Sequence, residues 1–451
     1  MNLEEIFNQK LTENGDVSYK STLNPLLDLL FMTEYFQKHI DEVRIGTSAF
    51  EKAFAMFVRD PRYGLGKRDL GRELMKQAQV SITDMVLAGR FDDVWTMFHG
   101  TAAFNEALDY LKGEIKKGNE LAKKWMPRYS SKNLMVAREI AKYWGMNKQQ
   151  YGKFIKCDTV ENKLSRKNTE EIEFEHVPSL ALIKYYQRFL KKEDTKARFE
   201  KYLADVKDGK KEMKISTTTV YDIYKNRTKI DPDLFFDKIE KISGSWIPVI
   251  DSSSSMQDGN DSYGKAIAIG HYLSKCSTYA PNKVVSFSSN PQLLELGVEN
   301  EVTSYGWGVR THRQNLSHCK NQSEREIASM YTGDCSNTDF AAVMRLLKGL
   351  DAKNAPEWLV VLSDMEFDCG SKQSKDETMR IFHQNGFKTK IVWWNLNSRN
   401  KTCPEVDKDG NVFMSGYSPY LLKFLEAGFN GEQFMKKLVA EYVKKVGITI
   451  E

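Results

Sequence analysis

The stretch WIPVIDSSSS, residues 246–255, joins an apolar run to an acid and a series of hydroxyls. Asp251 ends the apolar run, and Ser253 and Ser255 follow it at steps of two. A buried strand that delivers a carboxylate to a polar loop is typical of ligand sites in open α/β sheets. A slack serine-rich linker is the alternative interpretation of this stretch taken alone.

Two other stretches have the same character, which the linker interpretation does not explain. EWLVVLSD, residues 357–364, closes an apolar run on Asp364, and DCSNTDF places Thr338 before a predicted helix. We expect these loops to meet the Asp251 loop at the carboxyl edge of one sheet.

Carboxylate and hydroxyl oxygens are the ligands these loops offer, and none of the chain's seven histidines falls in them. Hard divalent cations prefer oxygen, whereas softer metals select imidazole or thiolate. We therefore predict a Mg²⁺ site, with Mn²⁺ or Ca²⁺ as alternatives, whose metal ligands are Asp251, Ser253, Ser255, Thr338 and Asp364. An incoming carboxylate or phosphate oxygen would complete the coordination.

The elements that would position this site change character near residue 245. From there on, short apolar runs alternate with helical patterns, which predicts a mostly parallel sheet covered on both faces. KVVSFSS (283–289) and PQLLELG (291–297) are too close for a crossover helix, so we predict an antiparallel hairpin at the sheet edge. Residues 300–336 are predicted to be a long segment of low regularity.

Residues 1–230 instead place apolar residues at steps of three and four, which predicts successive amphipathic helices. The predicted helices are 24–40, 49–60, 68–89, 102–118, 134–145 and 179–190. Gly64 and Gly66 are predicted to serve a turn between two of them. The fold class is therefore multi-domain, α plus α/β: an irregular helical-repeat domain at 1–240 and an α/β domain at 241–451.

Composition favours a reduced, cytoplasmic protein. The six cysteines are scattered singly with no CxxC pair, and no apolar run is long enough to cross a bilayer. The N-terminal residues have no apolar segment of the secretory type. A zinc site formed by His312, His318, Cys319 and Cys335 remains a weaker alternative, because their spacing matches no known ligand pattern.

The spacing Asp251-x-Ser253-x-Ser255, with Thr338 and Asp364, resembles the metal-ion-dependent adhesion site of the von Willebrand factor A domain. The chain departs from the usual motif at Ser254, where glycine is common. The resemblance implies a Rossmann-like A domain whose cation recruits an acidic group from a protein partner.

The N-terminal half resembles the helical-repeat region of Ro-type (TROVE) proteins. The resemblance lies in FVRDPRYGLGKRDL (57–70), FDDVW (91–95), residues 121–155 and RFEKYLADVKDGK (198–210). It is strongest to an offshoot of that family that pairs such helices with a C-terminal A domain. It implies HEAT-like repeats closed into a ring by the A domain, and binding of small non-coding or misfolded RNA.

A basic segment is consistent with an RNA partner. Residues 101–170 contain 15 Lys and Arg against 8 Asp and Glu, which favours an anionic partner, although a solvated helix face is the simpler explanation. Within it, the candidate RNA-binding residues are Lys123, Lys124, Arg128 and Lys132. Trp125 and Tyr129 lie beside them, and Trp125 is better explained as core than as a stacking surface.

No nucleophile is paired with a base, so we expect a binding protein and not an enzyme. The first hypothesis is a Ro-type RNA-binding protein with a Mg²⁺ site for a second partner. The alternative is a metal-dependent protein-interaction or assembly module without RNA binding. A weaker third hypothesis is an accessory subunit of a larger enzyme.

Overall fold

A computed structural model describes most of the chain. The described residues are 8–12, 15–166, 169–215, 217–257, 259–305, 308–336, 338–349, 355–367, 375–405, 410–417, 419–425 and 430–448. The chain divides into two compact units. We call Met1–Val43 with Thr218–Leu438 the α/β unit, and Arg44–Thr217 with Val439–Glu451 the helical unit.

This division differs from the boundary predicted at residue 240. That boundary followed the change of hydrophobic pattern, whereas the compact units follow packing. The two helices before the sheet, α14 (Val220–Asn226) and α15 (Pro232–Lys238), pack on helices of the α/β unit. Helical periodicity alone does not show which unit a helix joins.

The α/β unit is built around a six-stranded sheet. Its strands are β3 (Trp246–Asp251), β4 (Lys283–Phe287), β5 (Gln292–Glu295), β8 (Trp358–Ser363), β9 (Lys390–Asn395) and β10 (Val412–Ser415). Their order across the sheet is β10-β9-β8-β3-β4-β5. All neighbouring pairs are parallel except β4 with β5. The predicted antiparallel edge hairpin is therefore confirmed.

The α/β unit also contains helices, and several of them pack on the sheet. These helices are α1 (Pro25–Phe31), α2 (Thr33–Lys38), α14, α15, α16 (Ser262–Cys276), α17 (Gln322–Ala328), α18 (Phe340–Lys348) and α19 (Lys375–Gln384). The longest, α16, packs closely on β3 because Gly270 leaves room: a Cβ there would lie 2.5 Å from the Ile250 side chain. The central strands β3 and β8 are buried along their whole length, as expected for strands covered on both faces.

Two small hairpins were not predicted from the sequence. One is formed by β1 (Gln9–Leu11) and β2 (Val17–Tyr19), the other by β6 (Glu301–Tyr305) and β7 (Val309–Arg313). The prediction of low regularity over residues 300–336 is therefore wrong, since this segment also contains α17. All five residues of β7 are exposed, so the strand lacks the alternation of apolar and polar residues that marks a half-buried strand.

The predicted helix 24–40 lies in the α/β unit, as the two helices α1 and α2. The other predicted helices are found in the helical unit with changed bounds. The helices of this unit are α3 (Ala49–Arg59), α4 (Arg68–Gln77), α5 (Ile82–Ala88), α6 (Phe91–Phe98), α7 (Phe104–Lys116), α8 (Glu120–Trp125), α9 (Leu134–Tyr143), α10 (Lys148–Phe154), α11 (Val160–Arg166), α12 (Ser179–Lys191) and α13 (Glu193–Lys207). A last helix, α20 (Gly431–Val446), is divided between the units at Val439. The predicted helix 68–89 is two helices, because Gln79 has a φ of 54° and breaks the run.

The turn between α3 and α4 is held by backbone hydrogen bonds. The amide of Leu65 donates to the Phe57 carbonyl at 3.0 Å, and the amide of Lys67 donates to the Val58 carbonyl at 2.9 Å. A Cβ at Gly64 would lie 1.8 Å from the Phe57 carbonyl oxygen. Gly64 therefore serves a tight turn, as predicted.

Buried charges tie three helices of this unit together. The Asp93 carboxylate of α6 lies 2.8 Å from Arg59 of α3 and 2.6 Å from Arg72 of α4. Asp93 is fully buried and Arg59 nearly so. Loss of either partner would leave a buried charge uncompensated, which is strongly destabilising. The FVRDPRYGLGKRDL and FDDVW stretches thus have a structural role in this unit.

No helix among the described residues is both long and apolar enough to cross a membrane.

Candidate functional site

The first side of the candidate metal site is the end of β3. The Asp251 side chain is buried there, with 1% of the residue exposed. Its Oδ1 accepts the amide N–H of Ser253 at 2.9 Å, and its Oδ2 accepts the hydroxyl of Ser363 at 2.5 Å. Ser363 is the last residue of β8, so one carboxylate joins the carboxyl ends of the two central strands.

The serines after Asp251 continue this network to the second loop. The hydroxyls of Ser253 and Ser255 lie 2.9 Å apart, and Ser255 acts to lower the pKa of Asp364 against the effect of burial. Asp364 follows β8 directly and is 2% exposed. Three of the five predicted ligands, Asp251, Ser253 and Ser255, therefore form one hydrogen-bonded set, and Asp364 lies next to Ser363, which donates to Asp251.

Thr338 reaches the same place from the third loop. It is buried, and its hydroxyl donates to the Glu366 carbonyl at 3.3 Å, two residues beyond Asp364. The next residue, Asp339, caps α18 by accepting the amide N–H of Ala342 at 3.1 Å. The three loops thus meet at one edge of the sheet. Strand order changes direction there, because β4 and β5 lie on one side of β3 while β8, β9 and β10 lie on the other.

Backbone geometry shows how the loops are built. Met365, directly after Asp364, has a φ of 66°, a backbone conformation that residues other than glycine rarely adopt. Its amide N–H donates to the Ser363 hydroxyl at 2.9 Å. Ser254 is exposed and is not among the residues with positive φ. A serine is therefore accommodated where the adhesion motif usually has glycine.

Electrostatics of the two carboxylates favour a cation between them. Burial, reinforced by the negative charge of Asp364, raises the pKa of Asp251 above its ordinary value. Burial also raises the pKa of Asp364, against the opposing effects of the Ser255 hydrogen bond and the Arg399 charge. Two buried acids whose ionisation is costly are stabilised by a nearby positive charge. The residues present thus fit a hard divalent cation held by oxygen.

The sequence analysis missed a fourth contribution, from the loop after β9. Arg399 Nη2 lies 3.2 Å from Asp364 Oδ2. Asn400 and Thr402 donate to Oε1 of the buried Glu366 at 3.1 Å and 3.3 Å. These residues follow a parallel strand at the same sheet edge, so the rule that located Asp251 and Asp364 could have found them.

The structure gives no support to the alternative zinc site. Among the described residues, which include His312, His318, Cys319 and Cys335, no group of three or more His, Cys, Asp or Glu side chains is placed to hold a metal ion. The candidate site at Asp251 and Asp364 has a different composition, two carboxylates with hydroxyls.

The candidate RNA-binding residues lie around the end of α8. Lys123 is paired with Glu120 at 2.6 Å. Arg128 Nη2 donates to the Lys123 and Ile155 carbonyls, each at 3.4 Å, and contacts the Cys157 sulfur at 3.3 Å. Arg128 therefore has local structural contacts, while Lys132 is exposed.

The neighbouring aromatic residues pack against the core of the helical unit. Trp125 and Tyr129 are half-buried against its main hydrophobic cluster. The Arg90 guanidinium carbon lies 3.9 Å from the centre of the Trp125 ring, and Lys124 Nζ lies 5.6 Å from it. One surface of the helical unit thus combines basic side chains with an aromatic ring, as in many nucleic-acid contacts.

Comparison with known proteins gives matches to families without an assigned activity. Residues 245–446 match the model of a domain of unknown function, DUF7788, and residues 121–235 match that of another, DUF2828. No curated protein matches the chain. Among solved structures, the crystal structure of the Deinococcus radiodurans RO (RSR) protein is 11% identical, with a TM-score of 0.37 and coverage of 87% of each chain. A likeness of this size is too small to identify the function.

Proposed function

We propose that this chain is a non-catalytic binding protein whose α/β unit holds a divalent cation, Mg²⁺ first, between the loops after β3 and β8. The observation that carries the proposal is that the buried carboxylates of Asp251 and Asp364 meet at one loop: Asp251 accepts hydrogen bonds from Ser253 and from Ser363, the residue before Asp364, and Ser253 contacts Ser255. A serine-rich turn with a purely structural role would not need a second buried carboxylate beside it.

In this proposal Asp251 and Asp364 supply negative charge, and Ser253, Ser255 and Thr338 supply neutral oxygens. The cation's role is to attract an oxygen anion from a partner. Carboxylates that stabilise a cation from one side leave its other positions open to water or to an acidic side chain of a second protein. The site therefore suits metal-dependent recognition of an acidic protein segment.

Calorimetric titration with Mg²⁺ tests the metal site directly. Asp251→Asn keeps the shape of the side chain and one of its two accepting oxygens but removes its charge. We therefore expect Mg²⁺ binding to be lost while the circular dichroism spectrum is unchanged. Asp339→Asn is the matched control, because Asp339 lies beside Thr338 but its carboxylate caps α18 and pairs with Arg345 at 2.8 Å. Equal Mg²⁺ affinity in wild type and Asp251→Asn would reject the site.

A second function, RNA binding by the helical unit, is supported by the basic segment 101–170, in which Lys124 lies beside the Trp125 ring and Lys132 is exposed. Positive side chains attract phosphates, and the affinity then falls as salt rises. The Ro-type resemblance makes small or misfolded RNA the first candidate partner. A protein-interaction module without RNA remains the competing hypothesis.

Fluorescence anisotropy with a labelled single-stranded RNA separates these two hypotheses. Lys124→Glu with Lys132→Glu should weaken binding and reduce the slope of the salt dependence by about one unit for each phosphate that is no longer neutralised. Lys196→Glu, an exposed substitution on α13, serves as the charge control. If RNA binding changes neither in the Lys124→Glu, Lys132→Glu variant nor with salt concentration, the protein-interaction module without RNA is favoured.

A further inference from the structure

The hairpin formed by β1 and β2 contacts the loops of the candidate site from the far end of the sequence. Its strands pair in antiparallel register, with Gln9 opposite Tyr19 and Leu11 opposite Val17. Each strand has only three residues. An isolated hairpin of this size is at best marginally stable in water, so docking onto the α/β unit must stabilise it.

The first docking contact reaches the loop after β8. The Thr12 hydroxyl donates to the Phe367 carbonyl at 2.6 Å, and both residues are buried. Phe367 follows Asp364 by three residues, with the left-handed Met365 between them. A strained backbone conformation persists where the surroundings fix it. The hydrogen bond from Thr12 to Phe367 is one contact that holds the backbone of this loop.

The second docking contact reaches the loop after β9. Tyr19, the last residue of β2, forms an antiparallel bridge with Cys403: the two residues exchange backbone hydrogen bonds, each at 2.9 Å. Lys10 Nζ also donates to the Lys401 carbonyl at 3.3 Å. This loop carries Arg399 to Asp364, and the neighbouring Asn400 and Thr402 to Glu366.

We propose that the hairpin formed by β1 and β2, with the adjoining Thr12, is a positioning element for the Asp364 side of the site. It contacts both loops that determine the surroundings of Asp364, through residues that are not themselves candidate ligands. Its effect on Mg²⁺ rests on the proposed function, whereas its effect on the two loops does not. Thr12 is the key positioning residue, because its side chain spans the hairpin and the loop after β8.

Hydrogen–deuterium exchange of the full chain without metal tests the positioning role. Thr12→Val keeps the shape of the side chain and removes the hydroxyl. We expect amides in residues 364–367 and 397–405 to exchange several-fold faster in this variant. Ser18→Ala is the matched control: the Ser18 hydroxyl is buried and donates to Lys10 within the hairpin at 3.4 Å. Deletion of residues 1–19 should give a larger effect on the same peptides.

Mg²⁺ titration of the same variants gives the second readout. Partners that orient metal ligands typically contribute about tenfold or more to affinity, so we expect Thr12→Val to weaken Mg²⁺ binding by that order. Ser18→Ala should leave Mg²⁺ affinity unchanged, even if it lowers the melting temperature as much as Thr12→Val does. A purely structural role would weaken both variants in proportion to their loss of stability.

The two readouts separate the two ideas. Unchanged exchange of both loops in Thr12→Val and in the deletion overturns the positioning role. A wild-type chain that binds no Mg²⁺ rejects the proposed metal function, while faster exchange in Thr12→Val would still establish the positioning role.

Discussion

Nη2 of Arg399 lies 3.2 Å from Oδ2 of Asp364, so a side chain that is one-third exposed reaches a carboxylate that is almost completely buried. The guanidinium supplies the positive charge that two adjacent buried acids need. It also lies where it would repel a divalent cation bound to the same carboxylate. The cation and Arg399 therefore compete electrostatically for Asp364.

Arg399→Gln should bind Mg²⁺ more tightly than wild type. Removing a positive charge beside the cation lowers the repulsion, and at partly exposed sites such effects are on the order of tenfold in affinity. Isothermal titration at low salt measures the change, and Arg399→Lys, which keeps the charge, is the control. Weaker Mg²⁺ binding by Arg399→Gln would show that Arg399 supports the site instead of competing with the cation.

Ser363→Ala should weaken Mg²⁺ binding by about tenfold, as is typical when a partner of a metal ligand is removed. The Ser363 hydroxyl donates to Asp251 and accepts the Met365 amide, so it orients both strand ends. Mn²⁺ titration followed by electron paramagnetic resonance gives an independent measurement. Ser274→Ala, a buried serine whose hydroxyl donates to the His271 carbonyl within α16, is the matched control.

Acid stability of the α/β unit should depend on Glu326. Burial alone would raise the pKa of Glu326, but hydrogen bonds from His271, Lys275 and Gln322 outweigh it and lower the pKa to about 2. A lowered folded-state pKa stabilises the protein above the ordinary value of 4.5, and this stabilisation is lost as pH falls toward 2.

Glu326→Gln should accordingly be less stable than wild type at pH 7, by on the order of 3 kcal/mol. The difference should shrink as pH falls below 4.5. Urea unfolding from pH 7 downward measures it, with the exposed Glu301→Gln as the control. A difference that does not change with pH would show that Glu326 contributes through packing alone.

Arg128→Ala should lower the free energy of unfolding of the helical unit by about 1–3 kcal/mol, since removal of the guanidinium leaves acceptors without their donor. Lys132→Ala, at an exposed position, should change it by less than about 0.5 kcal/mol. Chemical denaturation compares the two variants. Equal stability of both would show that the Arg128 contacts with Lys123 and Ile155 contribute little.

Sequence pattern predicted the central features of the α/β unit for a definite reason. β3 and β8 are buried on both faces, so they appear as continuous apolar runs that end abruptly at Asp251 and Asp364. The carboxyl ends of parallel strands meet at one edge, which brought the predicted ligand loops together. The metal itself stays a prediction, as do the HEAT-like repeats and the ring.

The features that were missed have no local pattern. The three-residue strands β1 and β2 are too short for a periodic signal, and Tyr19 of β2 bridges to Cys403, which is far away in sequence. β10 is a four-residue strand that was also not predicted. The contacts of Arg128 with carbonyl groups could not be predicted, because an arginine that binds carbonyls and one that faces solvent look the same in a sequence. Its role in RNA binding stays a prediction.

The pairing of Tyr19 with Cys403 also bears on how the protein is made. Residues 44–217, the larger part of the helical unit, are inserted between the two parts of the α/β unit. On the ribosome the inserted helices can fold from neighbouring contacts while the early N-terminal residues still await their partners. The α/β unit reaches its final form only after β10 and α20 have emerged, so its N-terminal segment must remain unassembled for most of translation.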